Sequence, residues 1–454
     1  AHPVEKPMTL ASFAPRQLTR CWLLVTLCCS ACASAPDQKS SPDAGLPTTG
    51  AGAGTSAQVG SDASAVGSGA THSSGGHDAG SSDAADAGAL GDAALPGDAA
   101  LTTDASLDAS VLPAPLTPFA THGAAITAPD GTWTWVDFPD AFCRDGSTAG
   151  IAVSLKPSSD KLMIFLQGGG ACFDGLTCAA NPANANGQKA ELTAGIFSRG
   201  NAANPLRDWN YVFVPYCTGD VHAGTNPSGM VPGVFGTQKF VGYLNMQAYL
   251  QRIVPSFPNV HEVLLTGISA GGFGAAANAV LVQRAFPNIR VKLIDDSGPP
   301  LAAPYLPACL QQKWRDLWGL EKSMLADCGA GCPNHDAFVE DYAHAMIKIF
   351  DDRPSGLIES AQDGTISGFF GAGQNSCTGV ALLTPIPGAT FQQGVLEFRD
   401  SVKSYPNFAT YYPPGTQHTW LADSSFYTGN VNGMTLVSWV TSIVHGQAAS
   451  NVGP

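Results

Sequence analysis

Short apolar runs alternate with longer amphipathic stretches in the part of the chain after residue 130. Runs this short and this apolar are typical of strands buried between two layers of helices. Regular alternation of strands and helices predicts an α/β fold, in which a mostly parallel central sheet carries helices on both faces. The predicted strands are 161–166, 211–214, 263–266 and 291–294, and the predicted helices are about 241–255, 270–286, 313–326, 337–349, 391–404 and 434–445.

The N-terminal part has the pattern of a secretory signal rather than of a folded element. Arg16 and Arg20 precede the apolar run 21–29, which small residues follow. This order of charged, apolar and small residues predicts that 1–32 is a signal segment and that the chain is exported. The Ser-Ala-Cys sequence ending at Cys32 resembles the end of a bacterial lipobox, so we expect lipidation and membrane attachment there. Cleavage without lipidation, giving a secreted protein, is the alternative.

Residues 33–115 lack the apolar surface that a packed core needs. They contain ten Asp, one Lys and no aromatic residue, with Ala, Gly, Ser, Thr and Pro making up most of the rest. Such a composition cannot offset the entropy of ordering, so we expect a disordered linker with a span of about 50 Å. The remaining residues, 116–454, are long enough for one large catalytic domain with insertions.

The charge distribution and the length of the apolar runs each exclude one class of function. The whole chain has a net charge of −14, which is the sum of +2 in residues 1–32, −9 in the linker and −7 in residues 116–454. A mildly acidic domain without a basic stripe is not expected to bind nucleic acid. No apolar run reaches about 18 residues, which excludes a multi-span membrane protein. We expect a monomer.

Eight cysteines lie in the domain, and an even number in an exported chain favours disulfides. Cys172 and Cys178 are close enough in sequence to close a small loop. Cys328, Cys332 and His335 have the short spacing of zinc ligands, which is an alternative without an evident fourth ligand. We expect disulfides and neither a metal nor a cofactor. The other domain cysteines are Cys143, Cys217, Cys309 and Cys377.

A G-x-S-x-G motif follows the predicted strand 263–266 and precedes an Ala-rich helix. A serine at such a strand-to-helix turn exposes its hydroxyl above the sheet, while Gly267 and Gly271 let the two elements approach. The N-terminus of the helix also presents free N–H groups to a developing oxyanion. This context predicts that Ser269 is a nucleophile.

A serine nucleophile needs a base, and in this fold an acid and then a histidine follow the serine along the chain. His418 lies in a Pro- and Gly-containing loop after the strand-like segment 408–412. We therefore expect His418 to be the base.

The acid should follow a strand between the serine and the histidine. Asp363 follows the short strand-like segment near Leu357 and is our expected acid, with Glu359 as an alternative. Asp351 and Asp352 also compete, but they follow a helical pattern and precede Arg353, so they are expected to end that helix or pair with the arginine.

Several separate stretches carry a resemblance to a known family: 143–150, 165–173, 204–205, 209–210, 214–224 and 267–274. Together they resemble the pectin acetylesterase family, which includes the Notum carboxylesterases. The resemblance implies an α/β-hydrolase fold with Ser269, Asp363 and His418 as the catalytic triad. It also implies that backbone N–H groups of Gly169, Gly170 and Ala270 form the oxyanion hole. The chain departs from the family at two positions, because many members have Trp at Gly170 and a Cys at Thr419.

These residues predict an exported serine carboxylic-ester hydrolase that works through an acyl-enzyme. The resemblance implies O-acetyl groups of pectin-like or other polysaccharides as the leading substrate. A lipid or polyester esterase on the same triad, and a non-catalytic surface binding protein on a hydrolase scaffold, are the alternatives. Five aromatic residues could stack on sugars, although core packing is the expected role of most: Trp209, Tyr216, Trp314, Trp318 and Trp420.

Overall fold

The computed structural model of the protein describes residues 123–186, 192–378 and 384–454. The predicted signal segment 1–32, the lipidation candidate Cys32 and the predicted linker 33–115 lie outside the described residues.

Among the described residues, eight strands form one central sheet, and four short strands form two small hairpins. The strands are β1 (Trp133–Phe142), β2 (Thr148–Ser154), β3 (Lys161–Leu166), β4 (Asn210–Val214), β5 (Asn226–Met230), β6 (Thr237–Phe240), β7 (Glu262–Ile268), β8 (Lys292–Asp296), β9 (Ser355–Ile358), β10 (Phe408–Tyr411), β11 (Asn430–Val431) and β12 (Met434–Thr435). The order in the central sheet is β1-β2-β4-β3-β7-β8-β9-β10. The β1–β2 and β2–β4 pairs are antiparallel and the other pairs are parallel. The predicted α/β fold with a mostly parallel sheet is confirmed.

The helices connect the strands and cover the sheet. They are α1 (Gly175–Ala180), α2 (Gly242–Ser256), α3 (Ala270–Ala277), α4 (Ala279–Ala285), α5 (Ala308–Trp318), α6 (Met324–Cys328), α7 (Phe338–Ile349), α8 (Gly364–Gly371), α9 (Gly388–Val402), α10 (Ser425–Thr428) and α11 (Leu436–Val444), with 3₁₀ turns at Gly195–Phe197, Leu320–Lys322 and Gly329–Gly331.

Two predicted helices differ from the structure. The helix predicted over 270–286 is divided at Asn278, whose side-chain amide donates to the carbonyl oxygens of Gly274 and His222 at 2.8 and 2.9 Å. The helix predicted over 313–326 was misplaced, because α5 already ends at Trp318. Gly319 follows it with φ of 72°, a left-handed conformation that glycine adopts easily and that stops the helix.

Buried side chains form an apolar layer on each face of the sheet. Strand β3 shows the alternation, because Leu162 and Ile164 pack in one layer while Met163 and Phe165 pack in the other. Successive side chains of a strand point to opposite faces, so a strand covered on both sides is apolar throughout. This explains why the central strands could be predicted from unbroken apolar runs.

All eight domain cysteines form disulfides, as predicted. The bonds are Cys143–Cys217, Cys172–Cys178, Cys309–Cys377 and Cys328–Cys332. The alternative of a zinc site is therefore wrong, because Cys328 and Cys332 bond to each other. His335 instead lies 3.2 Å from a carboxylate oxygen of Glu321. Within the described ranges, no helix is long and apolar enough to cross a membrane.

Candidate active site

Ser269 lies at the turn between β7 and α3. Its φ and ψ are 56° and −124°, a conformation that is uncommon for a residue with a side chain. Strain of this kind is often found where a backbone holds a reactive group in place. The Ser269 backbone N–H donates to the Asp296 carbonyl oxygen on β8 at 2.7 Å, which ties the turn to the neighbouring strand. The residue is 8% exposed.

Glycines around this turn allow the backbone to pack against Ser269. A Cβ on Gly267 would overlap the Gly271 carbonyl oxygen, and a Cβ on Gly271 would overlap that of Leu166. A Cβ on Gly168 would lie 2.8 Å from the Ser269 Cβ. The glycine-rich loop that follows β3 therefore lies directly against the serine.

The same loop can direct backbone N–H groups at the serine. Gly170 has a φ of 79°, which favours glycine. The Gly169 carbonyl oxygen accepts a hydrogen bond from the Asn181 side chain at 2.6 Å. Because the C=O and N–H of a trans peptide point in opposite directions, the Gly170 N–H faces away from Asn181. Ala270 begins α3, where backbone N–H groups have no partner within the helix.

Asp363 and His418 are in contact. Oδ2 of Asp363 lies 2.7 Å from Nδ1 of His418. The other oxygen, Oδ1, accepts the backbone N–H groups of Thr365 and Ile366 at 2.7 and 2.8 Å, so Asp363 caps α8. The helix N-terminus stabilises a negative carboxylate. Such a carboxylate requires Nδ1 of His418 to carry the proton, which leaves Nε2 free to accept one. Asp363 is fully buried, whereas the His418 side chain is 21% exposed.

Asp296 holds the segment that carries His418. Its Oδ2 accepts the backbone N–H groups of Trp420 and Leu421 at 2.7 and 2.8 Å, and its Oδ1 accepts the Ser297 hydroxyl at 3.0 Å. The Thr419 N–H donates to the same hydroxyl oxygen at 3.2 Å. Burial raises the pKa of Asp296 to about 6, although these hydrogen bonds favour the charged form. Since Ser269 also bonds to the Asp296 backbone, one residue positions both segments.

The competing acids lie in different environments. Glu359 is fully buried at the end of β9, and neither of its oxygens has a hydrogen-bond partner among the described residues. Burial raises the pKa of Glu359 well above its usual range, and the nearby Asp363 adds to that shift. Asp352 pairs with Arg353, as expected, and also with Arg290. Of the candidate acids, the structure brings Asp363 to His418.

A cavity of about 110 Å³ extends from the serine into the domain. Gly170, Ser269 and Ala270 form part of its wall. Most of the remaining wall is apolar and comes from α3, α5, α7, α8 and α9. Phe369 lies against Gly170, with a ring carbon 3.1 Å from where a Cβ would be, so an aromatic ring lies beside this glycine at the cavity wall.

Sequence reasoning missed Asp295, Asp296 and the cavity. Both aspartates follow the predicted strand 291–294 directly, so the search for an acid at a strand end could have found them. The cavity depends on how distant helices pack, which no local pattern shows. The five aromatic residues considered for sugar stacking are all buried, which confirms the expected core role. Trp314 and Trp318 lie in the cavity wall.

Comparison with known proteins identifies relatives of this domain. The family described as Pectinacetylesterase matches residues 132–329. The palmitoleoyl-protein carboxylesterase Notum of Drosophila melanogaster is 29% identical over 205 residues, covering 41% of this chain and 30% of the relative. Notum2 of Xenopus laevis is 32% identical over 171 residues, or 34% of each chain. The aligned regions thus span about a third of the length of these curated relatives.

A solved structure supports the fold. The Wnt deacylase Notum from Drosophila superimposes with a TM-score of 0.55 at 21% identity, covering 69% of this chain and 94% of that one. The predicted resemblance to the pectin acetylesterase and Notum family is confirmed, and so is the α/β-hydrolase fold. This family is one of carboxylic-ester hydrolases.

Proposed function

We propose that the protein, which is similar to pectin acetylesterases and Notum carboxylesterases, is an exported serine carboxylesterase that cleaves esters of apolar acyl groups. The observation that carries the proposal is an apolar cavity whose wall includes Ser269, beside a serine turn and an Asp363–His418 pair. The non-catalytic alternative has less support, because a binding protein needs neither the strained serine nor the capped, histidine-bonded carboxylate.

In the proposed reaction, the Ser269 Oγ attacks the ester carbonyl carbon while Nε2 of His418 accepts the hydroxyl proton. Asp363 holds the imidazole tautomer and stabilises the imidazolium that forms. His418 then gives the proton to the leaving alcohol, which leaves an acyl-serine. Water, deprotonated by His418, attacks that ester and releases the acid and the free serine.

Negative charge develops on the carbonyl oxygen in both steps. We assign its stabilisation to backbone N–H groups of Gly169, Gly170 and Ala270. Fixed donors of this kind require no reorganisation during the reaction, and removing one typically lowers kcat by about 10²–10³. The bond from Asn181 to the Gly169 carbonyl supports this assignment, because it fixes the orientation of the peptide that carries the Gly170 N–H.

The size of the cavity supports an acyl group longer than acetyl. One water-sized group needs roughly 10–15 Å³ of such space. The cavity of about 110 Å³ is therefore several times larger than one such group needs. An acetyl group would leave most of this space unused. The Notum relatives are named for palmitoleoyl esters, which also have a long acyl chain.

A series of p-nitrophenyl esters from acetate to dodecanoate tests this proposal with the purified chain. We expect kcat/KM to rise with chain length up to a medium-length acyl group, and Ser269→Ala to abolish turnover. Ala276 also lines the cavity. It lies six residues beyond Ala270 on α3, which is about 9 Å from Ala270 along the helix axis. Ala276→Phe should shift the optimum to shorter chains. A preference for acetate that Ala276→Phe leaves unchanged would contradict the acyl-cavity proposal.

Deacetylation of a polysaccharide is the second candidate, and the match to the Pectinacetylesterase family favours it. Release of acetate from acetylated pectin at a rate above that of any longer ester would select it.

We also propose that residues 1–32 direct export, with lipid attachment at Cys32, that 33–115 form a flexible tether, and that the domain is monomeric. The mass of the mature N-terminal peptide tests whether Cys32 carries a lipid.

A further inference from the structure

Asp295 faces the same cavity as Ser269. Strand β8 alternates, so that Leu293 and Asp295 line the cavity while Ile294 and Asp296 face the opposite side of the sheet. Asp295 is the single carboxylate in the described cavity wall. A charged residue type in a mostly apolar wall calls for a partner, because an unpaired buried carboxyl group is unfavourable.

The protein leaves part of this carboxyl group unpaired. Asp295 is 6% exposed, and its Oδ1 is buried without a hydrogen-bond partner in the described part of the chain. Burial raises the pKa of Asp295 well above its usual range, Asp296 adds to this, and a hydrogen bond from the Gly298 backbone opposes it. This shift favours the protonated form of Asp295, which has one O–H donor and remaining acceptor capacity.

Glycines bring the backbone against this carboxyl group from two sides. A Cβ on Gly298 would lie 2.5 Å from Oδ1 and 2.7 Å from Oδ2, and a Cβ on Gly272 would overlap Oδ1. Two glycines at these positions leave room for the carboxyl group and restrict its movement. This arrangement resembles a built polar site more than an accidental substitution in a hydrophobic core.

The register of the sheet places Asp295 near the reacting ester. It pairs with Gly267 of β7, two residues before Ser269. Neighbouring strands lie about 4.8 Å apart, so Asp295 is close to the carboxyl end of a bound acyl chain rather than to its tail.

We propose that Asp295 forms a polar subsite in the acyl cavity that recognises a hydroxyl group carried by the acyl chain near the ester carbonyl. This inference rests on the proposed esterase function and names its substrate class as esters of hydroxyacyl groups. A substrate hydroxyl can accept from the acid O–H or donate to its carbonyl oxygen, and either bond gives the carboxyl group a partner. An unsubstituted chain covers the acid with methylenes and leaves it unpaired.

Leaving a buried polar group unpaired weakens transition-state binding by a factor of roughly 5 to 100. We therefore expect kcat/KM for p-nitrophenyl 3-hydroxyhexanoate to exceed that for hexanoate by about this factor, after correction for their uncatalysed rates. The 6-hydroxyhexanoate ester should show no such gain, because its hydroxyl lies far from the ester. Asp295→Ala should remove the preference for the 3-hydroxy ester.

Leu293→Ala is the matched control, because Leu293 lines the same face of β8 two residues earlier. It enlarges the cavity and should alter chain-length preference while keeping the hydroxyl preference. Asp295→Asn retains a donor and an acceptor and should keep part of the preference. Equal kcat/KM for hexanoate and 3-hydroxyhexanoate in the wild type, or a hydroxyl preference that survives Asp295→Ala, would overturn the proposal. A stronger preference for an aminoacyl ester would overturn it too, by indicating a charged Asp295.

Binding measurements test this inference independently of the proposed esterase function. Ser269→Ala should bind methyl 3-hydroxyhexanoate more tightly than methyl hexanoate in calorimetry, and Ser269→Ala/Asp295→Ala should not discriminate between them. If the wild type hydrolyses no ester yet this difference in binding is found, the subsite stands and the esterase proposal fails. If esters are hydrolysed and no difference in binding is found, the subsite proposal fails alone.

Discussion

Truncating Asp296 should lower activity strongly while leaving the protein folded. Asp296→Ala removes the acceptor for the Trp420 and Leu421 N–H groups, which hold the segment carrying His418. Two unpaired buried N–H groups cost roughly 2–6 kcal/mol together. The substitution also removes a buried carboxylate whose pKa is raised to about 6. At pH 7 that group disfavours folding by about 3 kcal/mol, because it must ionise in the folded state at a higher pH than in the unfolded chain.

The two contributions largely offset each other, so the net loss of stability at pH 7 should be no more than about 3 kcal/mol. Activity has no such compensation. A displacement of His418 by about 1 Å is expected to lower kcat/KM by about 10²-fold. The assay compares kcat/KM on a p-nitrophenyl ester with the free energy of unfolding in urea, for Asp296→Ala and for Asp296→Asn.

Asp296→Asn is the informative control. Its amide oxygen can still accept both backbone N–H groups, so most of the activity should remain. If Asn were as damaging as Ala in a folded protein, Asp296 would act through its charge rather than as an anchor. Full activity of a folded Asp296→Ala variant would refute the reasoning altogether.

Three further predictions concern other groups. Asp363→Asn should lower kcat by about 10⁴ in ester hydrolysis, because the amide favours the wrong imidazole tautomer, and equal damage from Asp352→Asn would contradict this choice of acid. Burial lowers the pKa of His222 to about 4, so the folded state favours the neutral imidazole. The stability that the neutral imidazole contributes is therefore complete above about pH 6.5 and is lost as the pH falls towards 4. Between pH 7 and pH 4, the free energy of unfolding in urea should therefore fall by about 3 kcal/mol less in His222→Gln than in the wild type. An equal fall in both proteins would contradict that pKa. Removing Cys143–Cys217, with a sequence separation of 74, should cost about 4–5 kcal/mol, against about 2 kcal/mol for Cys328–Cys332 with a separation of 4, and equal losses in calorimetry would contradict the loop-entropy argument.

Local sequence patterns predicted which helices and strands occur better than they predicted where each one begins and ends. They did not predict the cavity. The run 161–166 is a strand with the predicted bounds, because a central strand is apolar on both faces. The antiparallel pair β1 and β2 was not predicted, since β1 is half exposed and contains polar residues. The end of α5 was missed because Gly319, rather than a break in the apolar pattern, stops the helix.

The candidate site shows the same division. The G-x-S-x-G motif and the order of Ser269, Asp363 and His418 along the chain were sufficient to predict an Asp363–His418 contact. The anchoring of the His418 segment by Asp296 could not be predicted in the same way, because it joins residues more than 120 positions apart. The exposure of Asp295 to the acyl cavity depends on the register of β8 and on the packing of distant helices.

The central claim is that Ser269 is an activated nucleophile. Treatment of the purified chain with a fluorophosphonate, followed by mass spectrometry, tests it most directly. We predict a single adduct on the peptide containing Ser269 in the wild type and in Ser228→Ala, which changes an exposed serine. Ser269→Ala should form no adduct, and His418→Ala should react far more slowly. An adduct on another residue, or equal labelling of Ser269→Ala, would contradict the account.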